Sequence, residues 1–208
     1  TGGAVNGVTI SGTNSLTVSG AVNINSPTAA GINHTIDVNS GTFSCASLSM
    51  ENTTNNNRDN RLNITTGTAT VTGNITMNGN ANRNQVQITG NGRLNVGGSF
   101  TGGDFTTATG SIVDYYGAAQ TIRTETYSNL ILSGSNTKSV PANCTATANL
   151  TISAGVTLQP TADINFTLGG NLSNAGSLNS DNGGSQMDFI FNGTTDQSVS
   201  GAGALTEF

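Results

Sequence analysis

The stretch Leu62-Asn-Ile64, Ala69-Thr-Val71, Ile75-Thr-Met77 places an apolar residue at every second position of three short runs. Alternation with period two turns one side of an extended chain inward and the other to water. The triplet of runs recurs on both sides. Val8-Thr-Ile10, Leu16-Thr-Val18 and Val22-Asn-Ile24 precede it, followed by Ile36-Asp-Val38, Phe43-Ser-Cys45 and Leu48-Ser-Met50. Val86-Gln-Ile88, Leu94-Asn-Val96 and Phe100 come after. Turn residues separate the first runs in three of the four sets: Ser11-Gly12, Thr66-Gly67 and Gly90-Asn91-Gly92. Val8, Ile36, Leu62 and Val86 follow one another at about 26 residues, inside the range of repeat architectures.

Three strands per repeat with tight polar corners describe one coil of a three-faced β-helix. The expected fold is all-β, a parallel β-solenoid with coils of about 26 residues; β-sandwich domains are the alternative. The variation in spacing falls at residues 51–60 and 78–85, where insertions in a loop cost little. Leu130-Ile-Leu132, Leu150-Thr-Ile152, Val156-Thr-Leu158, Ile164-Asn-Phe166-Thr-Leu168, Leu172, Leu178 and Phe189-Ile-Phe191 continue the pattern with a looser phase. A single domain over 1–208 is expected, with regular coils over 5–110 and less regular ones over 111–208. Whether the later coils keep three sides stays open.

One coil buries too few apolar side chains to offset the entropy of ordering its backbone. Neighbouring coils must supply hydrogen bonds and seal the core above and below. Asn or Thr stacked at equivalent corners would add ladders of side-chain bonds.

Composition narrows the function. Charged residues make up 8% of the 208, and Asn, Thr and Ser take their place; a quarter or so is usual. Recurrent Val, Ile and Thr argue for strands rather than disorder. Arg58, Arg61, Arg83, Arg93, Arg123 and Lys138 are the only bases, scattered in sequence, within a net charge of −5. Nucleic-acid binding, which needs clustered cations, is not expected. No apolar run is long enough to span a membrane as a helix. No leader is recognisable at Thr1, so an export signal is expected to have been removed or to lie outside this sequence.

Catalysis is not expected either: no catalytic, cofactor-binding or metal-binding residue is assigned, and no cofactor. His34, the one histidine, reads as a solvated residue of a polar loop. The aspartates spread over different coils, with Asp181 and Asp188 beside Asn-Gly-Gly as a faint Ca²⁺ signal. Cys45 and Cys144 fall on distant coils and read as inward-facing small hydrophobes; only the sandwich alternative would bring them together. Thr70-Val-Thr72 fits an ice-binding pair, but Thr17/Ser19, Ser44/Ala46 and Asn95/Gly97 break the array. The nine Asn-x-Ser/Thr sequons are about what chance predicts in so Asn- and Thr-rich a chain. Asn33 and Asn52, read as loop residues, are the candidate glycosylation sites.

No segment has the apolar spacing of an amphipathic helix, so neither end of the solenoid has a visible cap. Residues 116–127 resemble 192–208, and residues 6–18 match 128–140 position by position, including Ser-Gly, Asn and the final Val. The strand that follows 127 has no counterpart after Phe208, yet its match stands at the N-terminus. Head-to-tail strand pairing through Val8, Ile10, Val18, Leu205 and Phe208 is therefore expected, making an open filament. The partner is another copy of the chain or flanking repeats of a longer one; surface glycans are a further partner class.

The run Asn149-Leu-Thr-Ile152-Ser-Ala-Gly155-Val-Thr-Leu158, with Gly-Ala-Ala-Gln-Thr-Ile before it, resembles the Asn/Gly/Thr-rich β-strand-repeat surface proteins of bacteria. More loosely the chain is similar to filamentous-haemagglutinin and autotransporter passenger solenoids. The resemblance implies secretion, an extracellular or cell-surface location and an adhesin-like β-solenoid, and carries over no functional residue. The expected function is a structural subunit or repeat of an extracellular fibre; a solenoid adhesin, or a module binding polysaccharide or ice, is the alternative.

Overall fold

The computed structural model describes residues 4–52, 58–79 and 82–206. They form strands and turns and no helix. The chain divides into two compact units, Thr1–Ser111 and Ile112–Phe208.

In the first unit, one coil runs through β1 (Ala4–Ile10) and β2 (Ser15–Ile24), the next through β3 (Ile32–Val38) and β4 (Thr42–Met50). The third comprises β5 (Asn60–Ile64), β6 (Thr68–Val71) and β7 (Ile75–Met77). The fourth comprises β8 (Asn84–Ile88), β9 (Arg93–Val96) and β10 (Phe100–Gly102), and β11 (Asp104–Thr107) opens a fifth. Strands stack parallel on their counterparts one coil away, giving the order β1-β3-β5-β8-β11 on the first face. On the second and third faces β2 and β4 run through what β6/β7 and β9/β10 divide. A register shift between Val18 and Ala21 bends β2 at this corner. The later coils turn there at Gly73 and at Gly97-Gly98, where the backbone of the neighbouring coil lies too close for a side chain.

The second unit keeps three faces. Its strands are β12 (Ile112–Tyr115), β13 (Gln120–Thr121) and β14 (Thr126–Tyr127), then β15 (Asn129–Leu132), β16 (Asn136–Val140) and β17 (Cys144–Ala146). Next come β18 (Leu150–Ile152), β19 (Val156–Pro160) and β20 (Ile164–Leu168). The last coils hold β21 (Leu172–Asn174), β22 (Ser177–Asn179), β23 (Asp181–Asn182), β24 (Ser185–Phe191), β25 (Val199–Ser200) and β26 (Ala204–Thr206). The faces are β12-β15-β18-β21-β25, β13-β16-β19-β22-β26 and β14-β17-β20-β24. Only the β23–β24 hairpin is antiparallel among the described strands, which excludes the β-sandwich alternative.

The inward columns are those of the repeat. Val8, Ile36, Leu62, Val86 and Phe105 are direct partners, and the sequence interval between neighbours shortens at every step. In the second unit Val113, Leu130, Leu150, Leu172 and Val199 form such a column, and the interval lengthens at every step. This drift in coil length is why the later phase reads as loose. Leu62, fully buried between Ile36 and Val86, tests the closure of the column. Leu62→Ala is expected to lower stability in urea unfolding by about 3 kcal/mol, the transfer and cavity cost of a buried leucine. A loss under about 1 kcal/mol would mean that the column is not closed.

Side-chain ladders reinforce the stack. Asn60 and Asn84 are wholly buried, and Asn60 Nδ2 donates to Asn84 Oδ1 at 3.1 Å. Asn129, Asn149 and Asn171 repeat at one corner of the second unit. Asn129 Oδ1 accepts from Asn149 Nδ2 (3.2 Å), Asn149 Oδ1 from the Asn171 N–H (2.9 Å), and Asn171 Oδ1 from the Ser198 N–H (2.8 Å). The Asn-Leu start of each such strand thus has a mechanical meaning: it binds its coil to the next.

Candidate functional site

Core columns lose their cover at the terminal coils. Exposure along Val8, Ile36 and Leu62 falls from 46% to 7% to 0%. In the last coils of the second unit Leu178 is fully buried while its partner Leu205 is 52% exposed, and Leu172 is buried while Val199 is 52% exposed. All the exposed large apolar residues of the described set, Val5, Val8, Ile190, Phe191, Val199 and Leu205, lie on β1, β24, β25 or β26. Val8, Phe191, Val199 and Leu205 stand in inward columns, against Ile36, Leu168, Leu172 and Leu178; no further coil of the described residues covers them.

Of the residues expected to assemble, Val8 and Leu205 are thus exposed, Val18 is half-buried and Ile10 is buried against Val38. Phe208 lies outside the described residues. Among the described strands β1 pairs only with β3, β2 only with β4, β25 only with β21 and β26 only with β22. None of these four edge strands carries a charge or a proline, the residues that usually guard an edge against pairing.

The matched segments 6–18 and 128–140 share their turn: Gly12 and Gly134 both take positive φ, 66° and 79°. The likeness of 116–127 to 192–208 does not extend to position. Gln120 lies on β13, paired with β16, whereas Val199, just beyond Gln197, lies on β25 over β21, a different face.

Asn33 and His34 lie on β3 rather than in a loop, because residues 32–38 pair along β1 and β5. Asn33 is half-buried and its Oδ1 accepts the Asp59 N–H at 3.1 Å; Asn52 is exposed. His34 Nδ1 lies 2.8 Å from the Asn25 carbonyl oxygen. Asp181 Oδ1 accepts the Gly184 N–H within the β23–β24 turn. Asp188 borders a groove of about 290 Å³ with Asp163, Asn143, Asn165 and Gln186. Among the described residues no three His, Cys, Asp or Glu gather as metal ligands. Both cysteines are buried and free. Burial pushes their thiols up, to about 11 for Cys45 and about 12 for Cys144, leaving them protonated and poorly nucleophilic at neutral pH. On the second face, Thr17, Ser44, Thr70 and Asn95 form one column in which Ser44 bonds to Thr17 and Asn95 to Thr70.

Buried polar groups appear where the repeat shows none. Lys138 has no exposed surface, and its Nζ donates to Gly117 O (2.7 Å), Ala118 O (2.7 Å) and Gln120 Oε1 (2.6 Å). Tyr115 and Tyr127 hydroxyls lie 2.9 Å apart in the core, and Tyr127 donates to Arg123 O at 2.5 Å. The bases scattered in sequence are not all scattered in space: Arg61 and Arg83 both pair with Asp59, the residue after Arg58. Comparisons with protein-family models, curated proteins and solved structures find no match to this chain.

Proposed function

We propose that this chain is a structural segment of an extracellular filament or cell-surface fibre, stacked end to end through its terminal strands on further copies or on flanking repeats. The kind of protein it fits is the Asn/Gly/Thr-rich strand-repeat exoprotein of bacteria. The observation that carries this reading is the pair of terminal coils: core columns left open, beside uncharged strand edges with backbone groups to spare. Pairing such edges extends both the ladder and the core, and contacts that do not close on themselves make a filament. The function is mechanical. No residue is assigned a catalytic role: the thiols are protonated, and the only histidine is held by a backbone carbonyl.

Negative-stain microscopy of the concentrated protein is expected to show unbranched fibres. Val8→Lys with Leu205→Lys puts an ammonium into each open column and is expected to leave a folded, monodisperse protein. Deleting residues 1–18 is expected to abolish fibres. Monodisperse wild-type particles at high concentration would refute the homopolymer, and undiminished fibres from the deletion would refute pairing through the first coil.

A further inference from the structure

Open core columns make a joint between copies favourable without fixing its rotation. The coil of β1 and β2 has three sides, as do the last coils of the second unit, so two copies stacked end to end have three ways to meet. Two independent observations select one of them.

The first is the β23–β24 hairpin. Along β24, Gln186 and Asn192 direct their N–H groups back to the coil of β20, onto Asp163 Oδ1 and Leu168 O, both at 3.0 Å. Backbone groups alternate sides along a strand, so Met187, Phe189 and Phe191 direct theirs to the opposite edge. There Ser180 O accepts the Met187 N–H at 2.8 Å, and β23 pairs antiparallel with Ser185 and Gln186. β23 therefore lies where a further coil would add its strand. From Asp188 to Phe191 no described strand pairs with that edge. β1 is seven residues long, and laid along β24 it would compete with β23 for the same backbone groups. The part of β2 beyond its register shift, Ala21–Ile24, is as long as the free stretch. A half-covered edge admits the short strand and refuses the long one.

The second is the match of residues 6–18 to 128–140, which chooses between the two rotations that β23 leaves. It aligns Val8 with Leu130 and Leu16 with Lys138. Leu130 belongs to the column that runs through Leu150 and Leu172 to Val199. Lys138 belongs to the column that runs through Leu158 and Leu178 to Leu205. Residues 6–18 thus carry the strand–turn–strand pattern that these two faces take, including the positive-φ glycine of the turn. Both columns end on exposed apolar side chains, Val199 and Leu205.

We propose that a second copy of this chain docks with β1 on β25, Ser15–Val18 of β2 on β26, and Ala21–Ile24 on the uncovered half of β24. Val8 then closes on Val199, and Leu16 on Leu205. The joint rests on the end-to-end stacking described above and adds its rotation, with β23 as the element that refuses β1 on β24.

Disulfide trapping in the fibres tests the rotation. Stacked strands lie about 4.8 Å apart, within the Cα separation that a disulfide requires. Thr9 follows Val8 on β1 and Ser200 follows Val199 on β25; both are exposed. Thr9→Cys with Ser200→Cys is expected, on oxidation, to give a ladder of covalent multimers on non-reducing gels, collapsed by reductant. Thr9→Cys with Ile190→Cys, or with Thr206→Cys, reports the other two rotations and is expected to stay monomeric on the gel. So is the wild type, whose two cysteines are buried. Fibres that yield no ladder from the Ser200 pair overturn this rotation and leave the stacking intact, as does an equal or stronger ladder from either other pair. Absence of fibres from the wild type and every variant overturns the stacking, and the joint with it.

Discussion

Gly134→Ala is expected to destabilise the 112–208 unit by about 4 kcal/mol in urea unfolding, the combined cost of a forced left-handed backbone and backbone overlap. Gly134 sits at φ 79°, and a Cβ there would come within 2.0 Å of Tyr116 O and 2.3 Å of Gly117 O. Both obstacles are backbone atoms of the preceding coil, locked by stacking, so no side-chain rotation relieves them. Gly12 is the control. It occupies the same place in the matched segment and has φ 66°, but nothing lies within 4 Å of its added Cβ. Gly12→Ala is expected to cost only about 1 kcal/mol, the conformational part alone. Equal losses at the two positions would mean that the close approach between coils at Gly134 does not exist.

Lys138→Met is expected to cost about 3 kcal/mol near neutral pH, because it removes a charged donor from buried acceptors. Ala118 O and Gln120 Oε1 lose that donor, while Gly117 O keeps the Ser135 N–H at 3.3 Å. The variant also has a pH signature. Burial lowers Lys138 from 10.5 to about 8, with the charge of Asp114 opposing. Below pH 8 the lysine is protonated folded and unfolded, and the burial penalty is present in full. Between 8 and 10.5 the unfolded chain holds more protons, so stability rises with pH. Burial acts oppositely on Cys144, raised from 9.0 to about 12, and on Tyr115 and Tyr127, both raised above 10. Their unfolded forms lose protons first, so their contributions fall as pH climbs past 9 and 10 respectively. The wild-type unit is expected to gain about 1 kcal/mol between pH 8 and 9, level off to pH 10 and then weaken. In Lys138→Met the first rise should vanish. A rise that survives the substitution would assign it to another group.

The repeat was legible because parallel stacking demands it. A residue that faces inward must stack on inward residues one coil away, so Val8, Ile36, Leu62 and Val86 share apolar character at a near-constant interval. Corners carried less information. Arg61 and Arg83 meet at one carboxylate because Asn60 pairs with Asn84 on the next coil, which sets Arg83 beside Asp59. Lys138 aligns with the inward Leu16 yet carries an ammonium, and only the carbonyls exposed at the Gly117–Ala118 corner make that position habitable. The tail repeat at 192–208 misleads for a related reason. The last coil of that unit, from Leu172 to Val199, takes up more chain than the first, from Val113 to Leu130, so like sequence arrives on a different face.

By itself, then, the amino-acid sequence determined the strand class and the inward residues of the repeat, because period two and the coil interval leave local marks in the chain. The tertiary structure decided which side of the solenoid each segment occupies and which polar groups share a corner. Those depend on the summed lengths of all the turns between two strands. Lengthening or shortening a single turn leaves the pattern of each strand unchanged and moves every later corner.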